Sequence, residues 1–358
     1  MSAATRLRAP ARQRGVALII ALVLVALATI LATKLSYDGW LERRRTIGII
    51  ATEQAYQFGM GAEALAADAL SQIGQGGAPT TTSNAQPGSA LNSATSPGNA
   101  NQVTLAQPWA QPTQPLPISA PDDPEGEPIG TLQGAIEDMQ GRFNLNNLAH
   151  VIMGTNGQIQ QDPVPLQQFQ RLLVTVGLEP RWAGIARDWI DQDDQPGEPD
   201  GAEDAVYTSQ NPPYRTGNWP MLSTTELMNM PGFGADRYRK IAPYVTALPT
   251  AQAKINICTA PGPVLESLAD NLSGEYDDPQ ILINGRKAGC FPDMTTLANV
   301  LGPKLAPALQ GKVYADTSSY FRLTTRVTLG TTQFTLYSLL WRSQAGKVTP
   351  LLRTFGTL

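Results

Sequence analysis

The chain has 358 residues, 42% hydrophobic and 16% charged, with 26 Lys and Arg against 30 Asp and Glu. That is enough apolar side chain for packed cores, which excludes a disordered chain, and the excess of acids suits poorly a body that would hold nucleic acid by displacing counterions. A single histidine, His150, excludes a His-rich metal site and leaves any Ser-His-Asp triad one candidate, with nothing around it to support that role.

The first fifteen residues hold Arg6, Arg8, Arg12 and Arg14 and no acid; setting these four aside leaves 22 positives against 30 acids, or −8, for residues 16–358. Residues 16–33 carry no charge. At 1.5 Å per residue they reach about 27 Å, close to a hydrocarbon core of about 30 Å, which predicts a membrane-spanning helix. The arginines before this run favour a cytoplasmic N-terminus, and Lys34 and Arg43-Arg44-Arg45 after it compete. A secretory signal peptide has a shorter apolar part and a small-residue end. Here Ala55, Phe58, Ala62, Leu65, Ala69 and Ile73 recur on one helical face, so the helix is expected to run on to about residue 75. Trp40 suits an interfacial anchor, and Arg43–Arg45 suit a surface meeting lipid headgroups or acidic partners, with a solvated basic patch as the alternative.

No charged residue occurs over residues 69–119, and the Pro/Gly/Ser/Asn/Gln-rich tract at 76–120 predicts a flexible linker. Residues 134–146 predict two short strands around Gly141. Short helices broken by Gly and Pro are expected at 166–176, 181–190, 224–230, 236–245, 264–272 and 295–301. Near the end, residues 321–329 alternate apolar and polar side chains, Gly330-Thr331-Thr332 supplies a turn, and residues 334–341 complete a β-hairpin.

Residues 188–204 gather Asp188, Asp191, Asp193, Asp194, Glu198, Asp200, Glu203 and Asp204 with no Lys or Arg. Such carboxylates repel unless solvent or a cation relieves them, and calcium, which takes about six to eight oxygens in flexible geometry, suits the loop as well as plain solvation does. It is no EF-hand, because Pro196 and Ala202 fall at the sixth and twelfth positions from Asp191. A glycosidase pair would need two carboxyls about 5–10 Å apart across a cleft, which crowding in sequence does not supply. Residues 230–237 resemble the hairpin of helix-hairpin-helix modules, but in an acidic body Gly232 and Gly234 are expected to make only a tight helix-helix turn. Cys258 and Cys290 allow one disulfide or two buried thiols, and an exported location favours the bond.

Arg14-Gly15 directly before an apolar helix resembles the type IV prepilin leader, which a prepilin peptidase cuts after the glycine before methylating the new N-terminus. Val16 would then come first and Ile20 fifth, where most pilins and pseudopilins carry a glutamate that is expensive in the bilayer without a partner. The K-type minor pseudopilins of type II secretion systems lack that glutamate. The chain is similar to them in an ordered series: Gly15-Val16-Ala17-Leu18-Ile19, Gln54-Ala55-Tyr56, Gly59, Gly61-Ala62-Glu63, Asp188-Trp189-Ile190-Asp191, Gly201-Ala202-Glu203-Asp204, Pro212-Pro213-Tyr214 and Tyr320-Phe321-Arg322-Leu323.

The resemblance implies an α+β, type IV pilin-like fold: a long N-terminal helix plus a small antiparallel sheet, with a large inserted helical domain. The divisions expected are a leader at 1–15, a transmembrane and assembly helix at 16–75, the linker at 76–120, first strands at 121–162, the inserted domain with its acidic loop at 163–312, and C-terminal strands at 313–358. It also implies processing between Gly15 and Val16, and calcium in the helical domain, for which Asp191, Asp193, Asp200, Glu203 and Asp204 of the acidic loop are the expected ligands. The implied role is non-enzymatic: a protein of the bacterial inner membrane with a periplasmic C-terminal domain, placed at the pseudopilus tip, that helps initiate the filament and export folded proteins. Its partners would be other minor pseudopilins through the N-terminal helix, the prepilin peptidase, and secreted substrates or the outer-membrane channel, but no nucleic acid. The competing expectation is a periplasmic enzyme or binding receptor anchored by an uncleaved helix.

Overall fold

The computed structural model describes residues 14–74, 101–120, 123, 126–154, 157–268, 283–286, 289–291, 294–302 and 309–356. The leader up to residue 13, the linker segment 76–100 and the expected helix end at 269–272 lie outside the described residues. The chain opens in α1 (Arg14–Ser71), one proline-free helix of 58 residues, about 87 Å long. It includes a stretch apolar and long enough to cross a membrane, none of which is buried against the rest of the chain.

After α1 come β1 (Leu116–Ile118) and β2 (Gly130–Asp138), an antiparallel pair with Leu116 opposite Leu132. The chain then leaves for a helical body. There β3 (Phe143–Asn144) pairs in parallel with β6 (Val245–Thr246), β4 (Val151–Met153) and β5 (Ile159–Gln161) form a hairpin, and β7 (Ile255–Asn256) pairs in parallel with β8 (Tyr314–Ala315). The helices of this body are α2 (Pro163–Thr175), α3 (Trp182–Asp188), α4 (Asp204–Tyr207), α5 (Gly234–Ile241), α6 (Gly262–Glu266) and α7 (Met294–Leu301). α2 starts where it does because Asp162 accepts from Val164 N at 3.0 Å and Pro163 occupies the first helical position, where no N–H is needed. The chain returns as β9 (Tyr320–Leu329), β10 (Thr332–Arg342) and β11 (Val348–Phe355). The resulting sheet runs β1-β2-β9-β10-β11 and is antiparallel throughout. A long helix on a small antiparallel sheet, with a helical body inserted, is the α+β, pilin-like arrangement expected from the sequence.

The alternation along β9 and β10 decides which sheet face α1 covers. Phe321, Leu323, Val327 and Leu329 of β9 and Leu336, Ser338, Leu340 and Arg342 of β10 are buried with period two. α1 lays Ala55, Ala62, Ala66 and Leu70 on that face. The approach is closest at Gly59, where a Cβ would lie 3.1 Å from Leu336 Cδ2. Leu65, expected on the buried side, is 62% exposed, and Glu63 is buried in its place. Glu63 is held by Arg353, which donates from Nε and Nη2 at 2.8 Å each, and by Ser338 Oγ at 2.7 Å. Burial pushes this carboxyl up, and the Arg353 and Ser338 bonds more than reverse it, leaving it below the ordinary value. At the end of the helix, buried Arg342 donates from Nε to Leu70 O at 2.9 Å and from Nη2 to Ile73 O, adding a cation to the carbonyl end of the helix.

The helical body hangs from one end of one strand pair. Asp138, the last residue of β2, lies opposite Phe321 of β9, so the chain leaves and re-enters the sheet at neighbouring positions. A buried node closes this neck: Asp138 Oδ2 accepts from Thr259 Oγ1 and Ser318 Oγ at 2.6 Å and from Asn256 Nδ2 at 2.9 Å. The insertion therefore begins at Met139 rather than at residue 163. β3 pairs inside the body, and Asn146 Nδ2 donates to Met221 O and Leu248 O at 2.9 and 2.8 Å. The body has its own core, built around Phe143, Phe169, Leu172, Trp182, Phe233 and Tyr314. Residues 101–120, expected as linker, instead belong to the sheet domain: Val103 and Trp109 are buried, and Trp109 meets Phe321 edge-on at 5.4 Å. Cys258 and Cys290 are joined by a disulfide.

Candidate metal centre

The acidic loop starts from the C-terminal end of α3. Asp188, fully buried, turns back to pin the loop: its Oδ2 accepts from Gly197 N at 2.8 Å and Ala202 N at 2.9 Å, while its Oδ1 lies 3.6 Å from Arg187 Nε. The closure is too tight for any side chain at residue 201, where a Cβ would lie 2.2 Å from Gly197 N and 2.3 Å from Asp188 Oδ2. Asp188 thus shapes the loop.

Shaped this way, the loop brings Asp191, Asp193 and Glu203 together, with one carboxylate oxygen from each within 4.8 Å of the others. Asp191 is steadied by Gln161 of β5, whose Nε2 donates to its Oδ2 at 2.8 Å. Its Oδ1 and both carboxylate oxygens of Glu203 are buried and meet no donor within the protein. Burial pushes Glu203 up to about 7, and the charges of Asp188, Asp191, Asp193 and Asp194 add to the rise. Burial also pushes Asp191 up to about 6, against the Gln161 bond and with help from Asp188 and Asp193.

These residues fit a divalent cation. Buried anionic oxygens without donors are costly unless paired or metal-bound, and an all-oxygen set without Cys or His matches a hard ion such as calcium rather than zinc. Asp191, Asp193 and Glu203 would hold it. The two other expected ligands lie outside the cluster. Asp204 Oδ1 accepts from Thr216 N and Oγ1 at 3.0 and 2.9 Å, and its Oδ2 faces Arg215 at 3.5 Å. Asp200 packs against α3, its carbonyl oxygen 3.3 Å from the place a Cβ on Gly184 would take. Sequence reasoning passed over Gln161, far off in the chain, and Asn218, which has a positive φ of 43° and donates to Asp194 at 3.2 Å while its Oδ1 is buried without a donor.

The remaining singled-out residues have plainer surroundings. Gly232 lies in the turn before α5 and Gly234 opens that helix, both with positive φ; Phe233 between them packs edge-on to Trp182 at 5.1 Å, and Arg237 Nη1 closes the turn on Gly232 O at 2.9 Å. Gly15 and Val16 lie in the first turn of α1, and Val16 is exposed.

A family model described as type II secretion system (T2SS), protein K, matches residues 141–250, within the helical body. Over 356 residues the chain is 31% identical to type II secretion system protein K of Aeromonas hydrophila, covering 96% of this chain and 98% of that one. Over 353 residues it is 32% identical to the protein of the same name from Pseudomonas aeruginosa, covering 96% and 93%. The fold is similar to a chain in the crystal structure of the GspK-GspI-GspJ complex from the enterotoxigenic Escherichia coli type 2 secretion system, with a TM-score of 0.67, 24% identity, and coverage of 88% of this chain and all of that one.

Proposed function

We propose, since this chain belongs to the type II secretion system protein K family, that it is the minor pseudopilin at the tip of the secretion pseudopilus, helping to start the filament and to move folded proteins across the outer membrane. The observation that carries this reading is the exposure of α1. Ile47, Ile49 and Ile50, beyond the apolar run, are 66%, 71% and 52% exposed, whereas the end of the same helix is fixed to the sheet. Apolar surface on this scale calls for lipid at one stage and other helices at another.

In this reading the prepilin peptidase cuts after Gly15, and Val16 becomes the methylated N-terminus. The helix then rests in the inner membrane with the body in the periplasm until it packs against other minor pseudopilins. A related chain solved together with GspI and GspJ supports partners of that kind. Two features favour a terminal position: a bulky body at one end of the sheet would obstruct a subunit stacked beyond it, and Ile20 offers no carboxylate to a neighbour. Calcium at Asp191, Asp193 and Glu203 braces the acidic loop, on a body free to face secreted substrates or the outer-membrane channel. No catalytic step is assigned. Mass analysis of the mature protein tests the reading: a chain beginning at methylated Val16 is expected, and an intact Met1 or a cut beyond Thr33 would overturn it.

A further inference from the structure

Just past the apolar run, α1 carries a strip that the filament role does not use. At 100° per residue Tyr37, Trp40 and Arg44 fall within about 60° of one another, and Lys34 lies about 60° further round. The two acids of this segment, Asp38 and Glu42, lie about 100–160° away from those three. Tyr37, Trp40 and Arg44 therefore present a cation and aromatic rings without a carboxylate beside them, while Lys34 has Asp38 about 40° round and one turn on. The first three touch: Arg44 Cζ lies 4.3 Å from the Trp40 ring centre, and Tyr37 stacks on Trp40 at 6.1 Å. Tyr37 and Trp40 are 60% and 48% exposed, so the strip faces outward. Arg45 points elsewhere and is paired with Glu42 at 3.0 Å.

Height along the helix indicates what this strip meets. Trp40 is about 10 Å and Arg44 about 16 Å beyond Thr33 along the axis. Helix side chains lean toward the N-terminus, so the Arg44 guanidinium reaches back over Trp40 toward the end of the apolar run. The polar layer of a bilayer adds about 5–8 Å on each side of the hydrocarbon, and a tilted helix brings the strip lower still. Aromatic rings at that level with a guanidinium laid across them suit the glycerol region and phosphate of a lipid.

We infer that Lys34, Tyr37, Trp40 and Arg44 form a binding site for the headgroup of an anionic phospholipid, with Lys34 and Arg44 on the phosphate and the two rings against the glycerol region. The site rests on the reading of residues 16–33 as a membrane span. It gives the waiting subunit a lipid preference and a fixed rotation about its helix axis, with Arg43 about 60° beyond Trp40 and about 100° from Arg44.

The test uses the full chain in vesicles of 70:30 phosphatidylcholine and phosphatidylglycerol, with bromine on the acyl chains of one lipid at a time and equal bromine content. Subtracting the signal of Trp40→Phe isolates the Trp40 emission. Brominated phosphatidylglycerol is expected to quench it at least about twofold more than brominated phosphatidylcholine. Lys34→Gln with Arg44→Gln should remove that difference, and Arg43→Gln should leave it. Equal quenching by the two lipids in the unaltered chain would overturn the lipid site while leaving the span in place, as would a preference that survives the double substitution or is lost in Arg43→Gln. No quenching by either lipid would overturn both the site and the span that sets its depth.

Discussion

Replacing Glu203 by Gln probes the candidate metal centre from its metal-free side. Burial and then the surrounding carboxylates raise Glu203 from 4.5 to about 7. The folded-state value lies above the unfolded one, so the penalty for ionising Glu203 is absent below about pH 4.5, grows as pH rises, and is complete above about pH 7. At about 1.4 kcal/mol per pH unit, a gap of about 2.5 units amounts to roughly 3 kcal/mol. A neutral amide in the same donor-free place costs about 1–2 kcal/mol, so the metal-free variant should be more stable than the unaltered protein by about 1–2 kcal/mol at pH 8. Calcium should invert the order, since a ligand at a hundred times its Kd adds about 2.7 kcal/mol to the protein that binds it. Urea unfolding of the domain without its apolar run, at pH 6 and 8, stripped of metal and then with calcium, measures each quantity. The reasoning fails if the metal-free variant is no more stable at pH 8, or if it responds to calcium as fully as the unaltered protein.

Arg353→Ala leaves the buried Glu63 carboxylate with Ser338 alone and should cost about 2–3 kcal/mol in the same assay, discounted for the partial exposure of Arg353. Because the Glu63 value is lowered in the fold, that contribution is present above its unfolded value and disappears as pH falls through the lowered one, so the two proteins should converge in acid. Gly59→Val drives branched carbons into Leu336 and should lose about 1–3 kcal/mol, whereas Gly59→Ala, whose Cβ crowds the movable Cδ2 of Leu336 and meets its Cβ and Cγ at ordinary contact distance, should stay near neutral by thermal unfolding. Reducing the Cys258–Cys290 bond opens a loop with a sequence separation of 32 and should lower stability by about 3–4 kcal/mol, read by urea titration with and without reductant.

The features legible in the sequence were those set by local pattern. The uncharged run, the alternation of β9 and the crowded carboxylates each specify their own element, and the structure places them accordingly. What escaped depends on residues far apart in the chain. Apolar spacing put Leu65 on the buried side of α1, yet Glu63 takes that side because Arg353 and Ser338 meet it across 290 and 275 residues. Trp109 lies in a tract with the composition of a linker, and only its contact with Phe321 makes it core. In the acidic loop, charge density marked the segment but not the roles: Asp188 folds inward to pin it, Asp204 turns to Thr216, and Gln161 arrives from a separate hairpin.

The neck of the insertion also decides how the molecule bears force. A pull along α1 passes to the sheet through Glu63–Arg353 on β11 and through Arg342 on β10. The helical body is attached elsewhere, through the ends of β2 and β9. Tension from the helix therefore enters the sheet at β10 and β11 and also at β9, where Leu70 packs with Phe321 and Leu323. The body is carried as a side branch of the sheet, entered and left at neighbouring strand ends.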